Sequence, residues 1–350
     1  MNKSGNGIKV FVGLSGGVDS SVTAALLVEQ GYDVTGVYMK NWSQDLPGLP
    51  CPWKEDYQDA KRVAVQLRIP FKMYDFETDY RHKVVDYMID EYKAGRTPNP
   101  DIMCNQEIKF KLFLNTALED GADMVATGHY AKTENGKLLK AKDENKDQTY
   151  FLYRITEEAL SHTLFPLGQY TKPEVRQLAK KFKLVTATKK ESMGICFVGK
   201  VGIKDFLNQY VKSVPGKVIN ENGEAVGKHE GAIFYTIGQR HGLKVGGGLP
   251  YYVIGKDMDK NEVYVTTDLN DNKLWSKALR LGDLHWINGI PSDLNVRVRT
   301  RHRAPLIEGI LDISDSKALV KLKDDIRALT PGQSAVLYQG DTVLGGGIII

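Results

Sequence analysis

The run Gly13-Leu14-Ser15-Gly16-Gly17-Val18-Asp19-Ser20-Ser21 decides how the rest of the chain is read. Ahead of it, Ile8 to Val12 read as a buried parallel strand; behind it, Val22 to Val28 carry apolar residues at helical spacing. Strand, glycine-rich turn and helix therefore follow in order. Two adjacent glycines let the backbone approach a bulky anion, the amides that follow point outward, and the helix start adds its partial positive charge. Phosphate is the guest that suits this arrangement. A Walker loop carries Lys before its Ser/Thr, and Val18-Asp19 stands there instead, so transfer of a terminal phosphoryl group by that machinery is not expected. The competing reading is a glycine turn that only packs a helix on a sheet, and the two serines and the aspartate weigh against it.

The stretch resembles the Ser-Gly-Gly-x-Asp-Ser loop of the ATP pyrophosphatases, which grip the pyrophosphate of ATP and adenylate an oxygen of their substrate. That resemblance implies AMP and pyrophosphate as products.

A chain of 350 residues with 42% hydrophobic residues has room for two or three domains, each with a core. The start, Met1 to Gly7, lacks an apolar leader, and no run approaches the length that spans a bilayer, so a cytoplasmic location without membrane partners is expected. The three cysteines, Cys51, Cys104 and Cys196, fit neither a disulfide scaffold nor a zinc motif and leave reactive thiols in a reducing compartment as the alternative. A net charge of +4 permits a nucleic-acid partner without requiring one.

Alternation continues with strands at Tyr32 to Met39 and Phe71 to Phe76 and helices at Asp56 to Leu67 and about Asp79 to Lys93. This predicts an α/β domain with a parallel, Rossmann-like sheet and ligands at the carboxyl ends of its strands. Met39 and Gly128, both at such ends, are expected beside the nucleotide, with Met39 against adenine or simply in the core. After Thr97-Pro98-Asn99-Pro100, a helical run is expected from Glu107 to Leu118 with Asn105 as N-cap. Cys104 then sits at a helix start, where the dipole favours thiolate, and Asp101, three residues away, is placed to exchange a proton. Cys104 as a buried small hydrophobe and Asp101 as a turn residue remain the alternatives. His129, beside Gly128, is suited to meeting a base, and Lys146-Asp147-Gln148 to holding a phosphate and a base edge, or to forming a plain capping turn. Cys196 lies in a short segment bounded by Gly194 and Gly199. If it meets Cys104, one can carry sulfur and the other resolve the linkage by thiol exchange.

Three domains are expected: 1–205 binding ATP and carrying catalysis, 206–273 as a small mixed, β-rich link, and 274–350 as a β-barrel. Within the barrel, Arg297, Arg299, Arg301 and Arg303 alternate with other residues, so a strand would present them as one basic stripe facing a phosphate backbone. A solvated outer face neutralised by acids such as Asp312 is the alternative. Gln333, in a Pro-Gly-Gln turn, is a further candidate to reach a nucleotide.

Taken together, Gly13 to Ser20, Thr97 to Asn105, Gly128-His129-Tyr130 and Ser192-Met193-Gly194-Ile195-Cys196-Phe197 resemble the tRNA-specific 2-thiouridylase family over essentially the whole chain. The resemblance implies that Gly13, Leu14, Ser15, Gly16, Gly17, Val18, Asp19, Ser20, Met39 and Gly128 bind ATP, with Mg²⁺ offsetting phosphate charge. It implies that Asn99, Pro100 and Asp101 contact the target base, that Cys104 is the nucleophile and that Cys196 carries a persulfide. His129, Lys146, Asp147, Gln148, Arg301, His302 and Gln333 are then tRNA contacts, although family members more often have Tyr or another aromatic where His302 stands. The implied activity is adenylation of O2 of the wobble uracil followed by sulfur transfer. The persulfide comes from an outside donor such as a cysteine desulfurase or a sulfur-relay protein. An adenylating amidotransferase-type synthetase, or a nucleotide-sensing RNA-binding protein without turnover, remains the alternative. Cys51, between Pro50 and Pro52, reads as a spectator or as part of a loop covering the site.

Overall fold

The computed structural model describes residues 5, 7–45, 51–190, 202–243, 245–246, 248 and 250–350; Cys196 and its neighbours lie outside the described residues. The first seven strands are β1 (Lys9–Gly13), β2 (Asp33–Lys40), β3 (Phe71–Asp75), β4 (Met124–Ala126), β5 (Lys132–Glu134), β6 (Lys137–Leu139) and β7 (Thr163–Leu164). Five form an all-parallel sheet in the order β3-β2-β1-β4-β7. The chain leaves β1 towards β2 on one side and later returns on its other side as β4, which makes the carboxyl end of β1 the switch point where such sheets open a crevice. Helix α1 (Val18–Glu29) starts there.

Alternation along β1 assigns its faces. Val10 and Val12 pack with Ala24 and Leu27 of α1 and with Ala60 and Val63 of α2 (Trp53–Leu67). Phe11 faces the opposite layer, a helical run in which α3 (Glu77–Tyr80) continues through π-helical Arg81–Asp86 into α4 (Tyr87–Lys93), and a second run from α5 (Pro100–Met103) through π-helical Cys104–Phe113 into α6 (Leu114–Glu119). Both faces are covered, as a near-continuous apolar strand requires. Helices α7 (Glu157–Ser161) and α8 (Lys172–Lys181) follow, and α9 (Ile203–Leu207) comes before the second sheet. Among the described residues no helix is long and apolar enough to cross a membrane.

Strands β8 (Gly216–Ile219), β9 (Ala225–His229), β10 (Tyr252–Asp257) and β11 (Glu262–Thr266) form a separate sheet ordered β10-β11-β8-β9. Beyond it, β12 (Trp275–Trp286), β13 (Asn295–Arg299), β14 (Ile307–Ser314), β15 (Lys317–Arg327), β16 (Ser334–Gln339) and β17 (Thr342–Ile349) close into an antiparallel barrel through the pairing of β12 with β17. Leu281, Val296, Val298, Leu311, Val320 and Leu337 fill its interior. The α/β domain followed by a β-rich unit and a barrel is the architecture expected from sequence.

The barrel is built into the first domain. The hairpin β5-β6 pairs with β17, Val343 opposite Leu138. Tyr150 donates its buried hydroxyl towards Thr300 O and Ser334 O, and the Tyr153 hydroxyl meets Ser334 Oγ at 3.0 Å. Buried hydroxyls cost stability unless they are bonded, so these contacts fix the orientation of the seam as well as its packing.

Two local expectations are corrected. The helix carrying Cys104 begins at Pro100, with Asn99 as its cap: Asn99 Oδ1 accepts from Asp101 N, and Pro at the first position supplies no unsatisfied donor. Asn105 instead donates Nδ2 to Phe151 O. Cys104 therefore lies a turn inside the helix, away from the orphan amides. The arginine stripe is also broken, because β13 ends at Arg299 and the chain then bends, Arg303 adopting a positive φ of 64°. Arg299 is nearly buried against Asp147 at 3.4 Å, and Arg301 donates to Ile237 O, Ala328 O and Thr330 Oγ1. Arg303 donates to Asn145 O.

Candidate active site

The loop after β1 is held by its own serines. Ser20 Oγ accepts from Ser15 N and donates to Gly17 O, while Ser21 Oγ donates to Gly17 O at 2.7 Å. Gly16 has φ +74°, and a Cβ there would stand 2.4 Å from Asp56 O, so glycine is required on both conformational and steric grounds. Met39 Cε lies 2.9 Å from where a Gly13 Cβ would be, and a Gly128 Cβ would fall 2.8 Å from Ser20 N. The expected partners Gly13, Met39, Gly128 and Ser20 are thus in one place.

The loop opens into a cleft of about 250 Å³ lined by Ser15, Gly17, Val18 and Asp19 on one side and by Tyr130, Lys146, Gln148, Lys172, Lys190, His302 and Arg303 on the other. Lys172 was not singled out from the sequence. It stands at the first position of α8, where a cation opposes the helix dipole. A capping box between Thr171 and Glu174 fixes that helix start, and Lys172 Nζ reaches Asp19 at 2.7 and 2.8 Å. The Tyr130 hydroxyl donates to the same carboxylate at 3.0 Å. The His302 ring packs at a tilt against Phe151, centroids 4.7 Å apart; burial and the neighbouring Arg303, Arg299 and Lys146 push its pKa down to about 4. Its Nδ1 is buried without a partner, an orphan polar atom in a cleft of cations. These features fit a polyphosphate. Among the described residues no group of three His, Cys, Asp or Glu side chains could hold a metal ion, and Asp19 is the carboxylate that lines the cleft. A divalent ion fits here only with the nucleotide's own oxygens supplying most of its ligands.

The second cluster centres on Cys104. Cys104 is buried, and burial pushes its thiol pKa up, opposed by the charge of Lys109 and a hydrogen bond with Tyr80. Burial likewise raises the Asp101 carboxyl, again opposed by Lys109. Lys109 Nζ lies 3.4 Å from His129 Nε2, and His129 Nδ1 lies 2.8 Å from Thr127 Oγ1. Burial and Lys109 hold His129 well below its ordinary pKa, so the ring is neutral and its Nε2 can accept from the lysine. Its faces are taken by Phe110 and Phe165 at 5.7 and 6.2 Å. In this structure His129 is buried, and both ring nitrogens face partners of the chain itself.

Asp147, at 1% exposure, accepts from Ala141 N and Thr149 Oγ1 and faces Arg299. Its neighbours Lys146 and Gln148 do line the cleft. Gln333 donates to Thr97 O at 2.8 Å and to Pro98 O at 3.2 Å, bracing the loop that leads to Asn99 and Asp101. Thr236 of the linking region meets the same loop through Thr97 Oγ1.

One turn joins the two clusters. Gly128 abuts the backbone of Ser20, His129 meets Lys109, and Tyr130 reaches Asp19. A loop at a parallel sheet's switch point, a cationic cleft facing it and a buried thiol with a carboxyl group in the preceding turn together define a nucleotide-binding α/β enzyme with β appendages. Residues 8–200 match the family described as tRNA methyl transferase HUP domain, 204–267 its PRC-barrel domain, and 276–349 the aminomethyltransferase beta-barrel domain. The chain is 48% identical to the tRNA-specific 2-thiouridylase MnmA of Geobacillus thermodenitrificans and 46% identical to that of Bacillus subtilis, in each case over 100% of this chain and 96% of the relative. It belongs to the tRNA-specific 2-thiouridylase family. Among solved structures, a 4-thiouridine synthetase–RNA complex with bound ATP matches at 19% identity and a TM-score of 0.38 over 58% of this chain and 50% of that one, too distant to bear on the reading.

Proposed function

We propose that this chain is a cytoplasmic tRNA-uridine 2-sulfurtransferase that replaces O2 of the wobble uracil by sulfur at the expense of ATP. The observation that carries the reading is the Gly128-His129-Tyr130 turn, which touches the glycine-rich loop on one side and, on the other, Lys109, whose charge acts on Cys104 and Asp101. The family descriptions and the relatives' names differ in the group transferred, and the buried Cys104 beside Asp101 favours sulfur.

Uracil C2 bears no leaving group. Its O2 attacks the α-phosphorus of ATP, pyrophosphate departs, and the carbon then carries AMP as a leaving group. Ser15, Gly17 and the start of α1 orient the phosphates, with Lys172, Lys146 and Arg303 opposing their charge. Mg²⁺, held mainly by the nucleotide with Asp19 nearby, would neutralise the rest. Asn99 and Pro100 shape the base pocket, and Asp101, its pKa raised by burial, is suited to holding a proton near the uracil and passing it on.

The terminal sulfur of a persulfide on Cys196 bonds to C2. Cys104 attacks Cys196 Sγ, breaking the sulfur–sulfur bond, and AMP leaves as the thiocarbonyl forms. The remaining Cys104–Cys196 disulfide holds two electrons fewer than the starting thiols and needs an outside dithiol, or two outside thiols, to return them, these leaving as a disulfide. The persulfide itself comes from a partner such as a cysteine desulfurase or sulfur-relay protein. Residues 1–205 supply ATP binding and chemistry, 206–273 contact the tRNA and brace the base loop, and 274–350 bind tRNA. Lys146, Gln148, Arg301 and His302 act as direct contacts, and Gln333 acts through the loop it holds.

Incubation with ATP, Mg²⁺, a persulfide source and bulk tRNA, followed by nucleoside analysis, is expected to yield 2-thiouridine at the wobble position. An amidated or methylated nucleoside, or unmodified tRNA under conditions where ATP and tRNA both bind, would overturn the proposal.

A further inference from the structure

Cys104 lies where burial disfavours its reactive form. Its thiol is nearly inaccessible, and the helix dipole does not help a residue a turn inside the helix. The backbone supplies another device. From Cys104 to Phe113 the helix is π-helical, with hydrogen bonds from i to i+5, so residues five apart share one side of the helix. In an α-helix, at 3.6 residues per turn, residue 109 would lie about 140° round the axis from residue 104. The π geometry brings Lys109 to the side of Cys104, and its charge acts on Cys104, Asp101 and His129 together.

Lys109 is aimed from outside its own helix. His129, on the turn after β4, offers Nε2 at 3.4 Å, and Thr127 fixes the ring through Nδ1. A neutral imidazole accepts from the ammonium without cancelling its charge, whereas a carboxylate in that position would have done so. The groups facing Cys104 are then Tyr80 from the neighbouring helix, Asp101 one turn earlier, and Lys109.

We propose that Lys109, held by His129 and brought into register by the π-helical turn, is the positioning residue that makes Cys104 available as thiolate during sulfur transfer. The inference rests on the sulfur-transfer reading, but its test does not. In the full chain carrying Cys51→Ser and Cys196→Ser, Cys104 is the remaining thiol, and its ionisation is followed by ultraviolet thiolate absorbance against a blank that also carries Cys104→Ser. Lys109→Gln is expected to move the titration midpoint up by about one pH unit or more, while Lys109→Arg keeps it near the parent value. With all cysteines present, Lys109→Gln should slow thiolation about tenfold at neutral pH and recover in part as pH rises.

Coincident midpoints for Lys109→Gln and its parent overturn the proposal. If Lys109→Gln does not fold, His129→Leu decides, because releasing the lysine should give a smaller upward shift, and no shift overturns the proposal. A shifted midpoint in a protein that never forms thiouridine would sustain the role of Lys109 and refute the sulfur-transfer reading instead.

Discussion

At the mouth of the phosphate cleft, Lys172 meets Asp19 at 2.7 Å among several other cations. Behind the same turn, Lys109 faces a thiol and a carboxyl group that burial holds towards their neutral forms. The cleft is polar and open, and in the proposed reading its cations serve a charged guest. Cys104 belongs to the apolar cluster that also holds Tyr80, Ile108 and Phe113, and among the described residues Lys109 is the cation whose charge opposes the effect of burial on its thiol. Low dielectric makes that one charge count for more than any of those in the cleft.

Substitutions can break this contrast, and the largest effect is expected at the thiol. Cys104→Ser should lower thiolation by about 1000-fold or more while ATP and tRNA binding persist, measured by nucleoside analysis beside filter binding. Lys172→Met should reduce ATP-dependent turnover by about 100-fold and leave the titration of Cys104 where it was, which separates the two regions directly. Asp147→Ala should act on the seam that supports the cleft. It strands the nearly buried Arg299, whose Nε already lacks a partner, and should cost about 3 kcal/mol in thermal or denaturant unfolding.

The smallest effect, and the sharpest in sign, is expected at Asp101. Its folded-state pKa lies above the ordinary carboxyl value, so the folded state binds more protons there than the unfolded chain. Stability from this group is present below the unfolded pKa of 3.8 and is lost as pH rises through the folded value. Asp101→Asn should therefore raise the melting temperature at neutral pH, with the gain fading as pH falls towards the carboxyl range, even as thiolation is lost. His129 runs in the opposite direction: its lowered pKa makes the wild-type fold less stable as pH drops below 6.5.

The strand, glycine turn and helix at Gly13 to Ser21 were legible because their signal is local, with paired glycines and serines within a short run. The helix carrying Cys104 was misread at its start. Pro98-Asn99-Pro100 looks like a loop, yet Asn as cap and Pro at the first helical position also open a helix, and they do so here. The arginine stripe failed for a different reason. Period two persists in the sequence past Arg299, but the strand does not, and the acid that neutralises Arg299 is Asp147, 152 residues away. No neighbouring residue announces that pairing. Nothing in the sequence pointed to Lys109, because the helix was expected to start after Cys104; the π-helical run from Cys104 to Phe113 instead puts residues 104 and 109 in one helix. Lys172 carried a usable sign, a cation at a capped helix start where the dipole disfavours it.

The central claim is that activation in the cleft is completed by the buried Cys104. Enzyme pre-loaded with persulfide, freed of donor and reductant and mixed with ATP and tRNA for a single turnover, tests it most directly. The account predicts one AMP released and one Cys104 thiol lost to disulfide for each 2-thiouridine formed. Thiouridine formed in stoichiometric amount with Cys104 still a free thiol would contradict it.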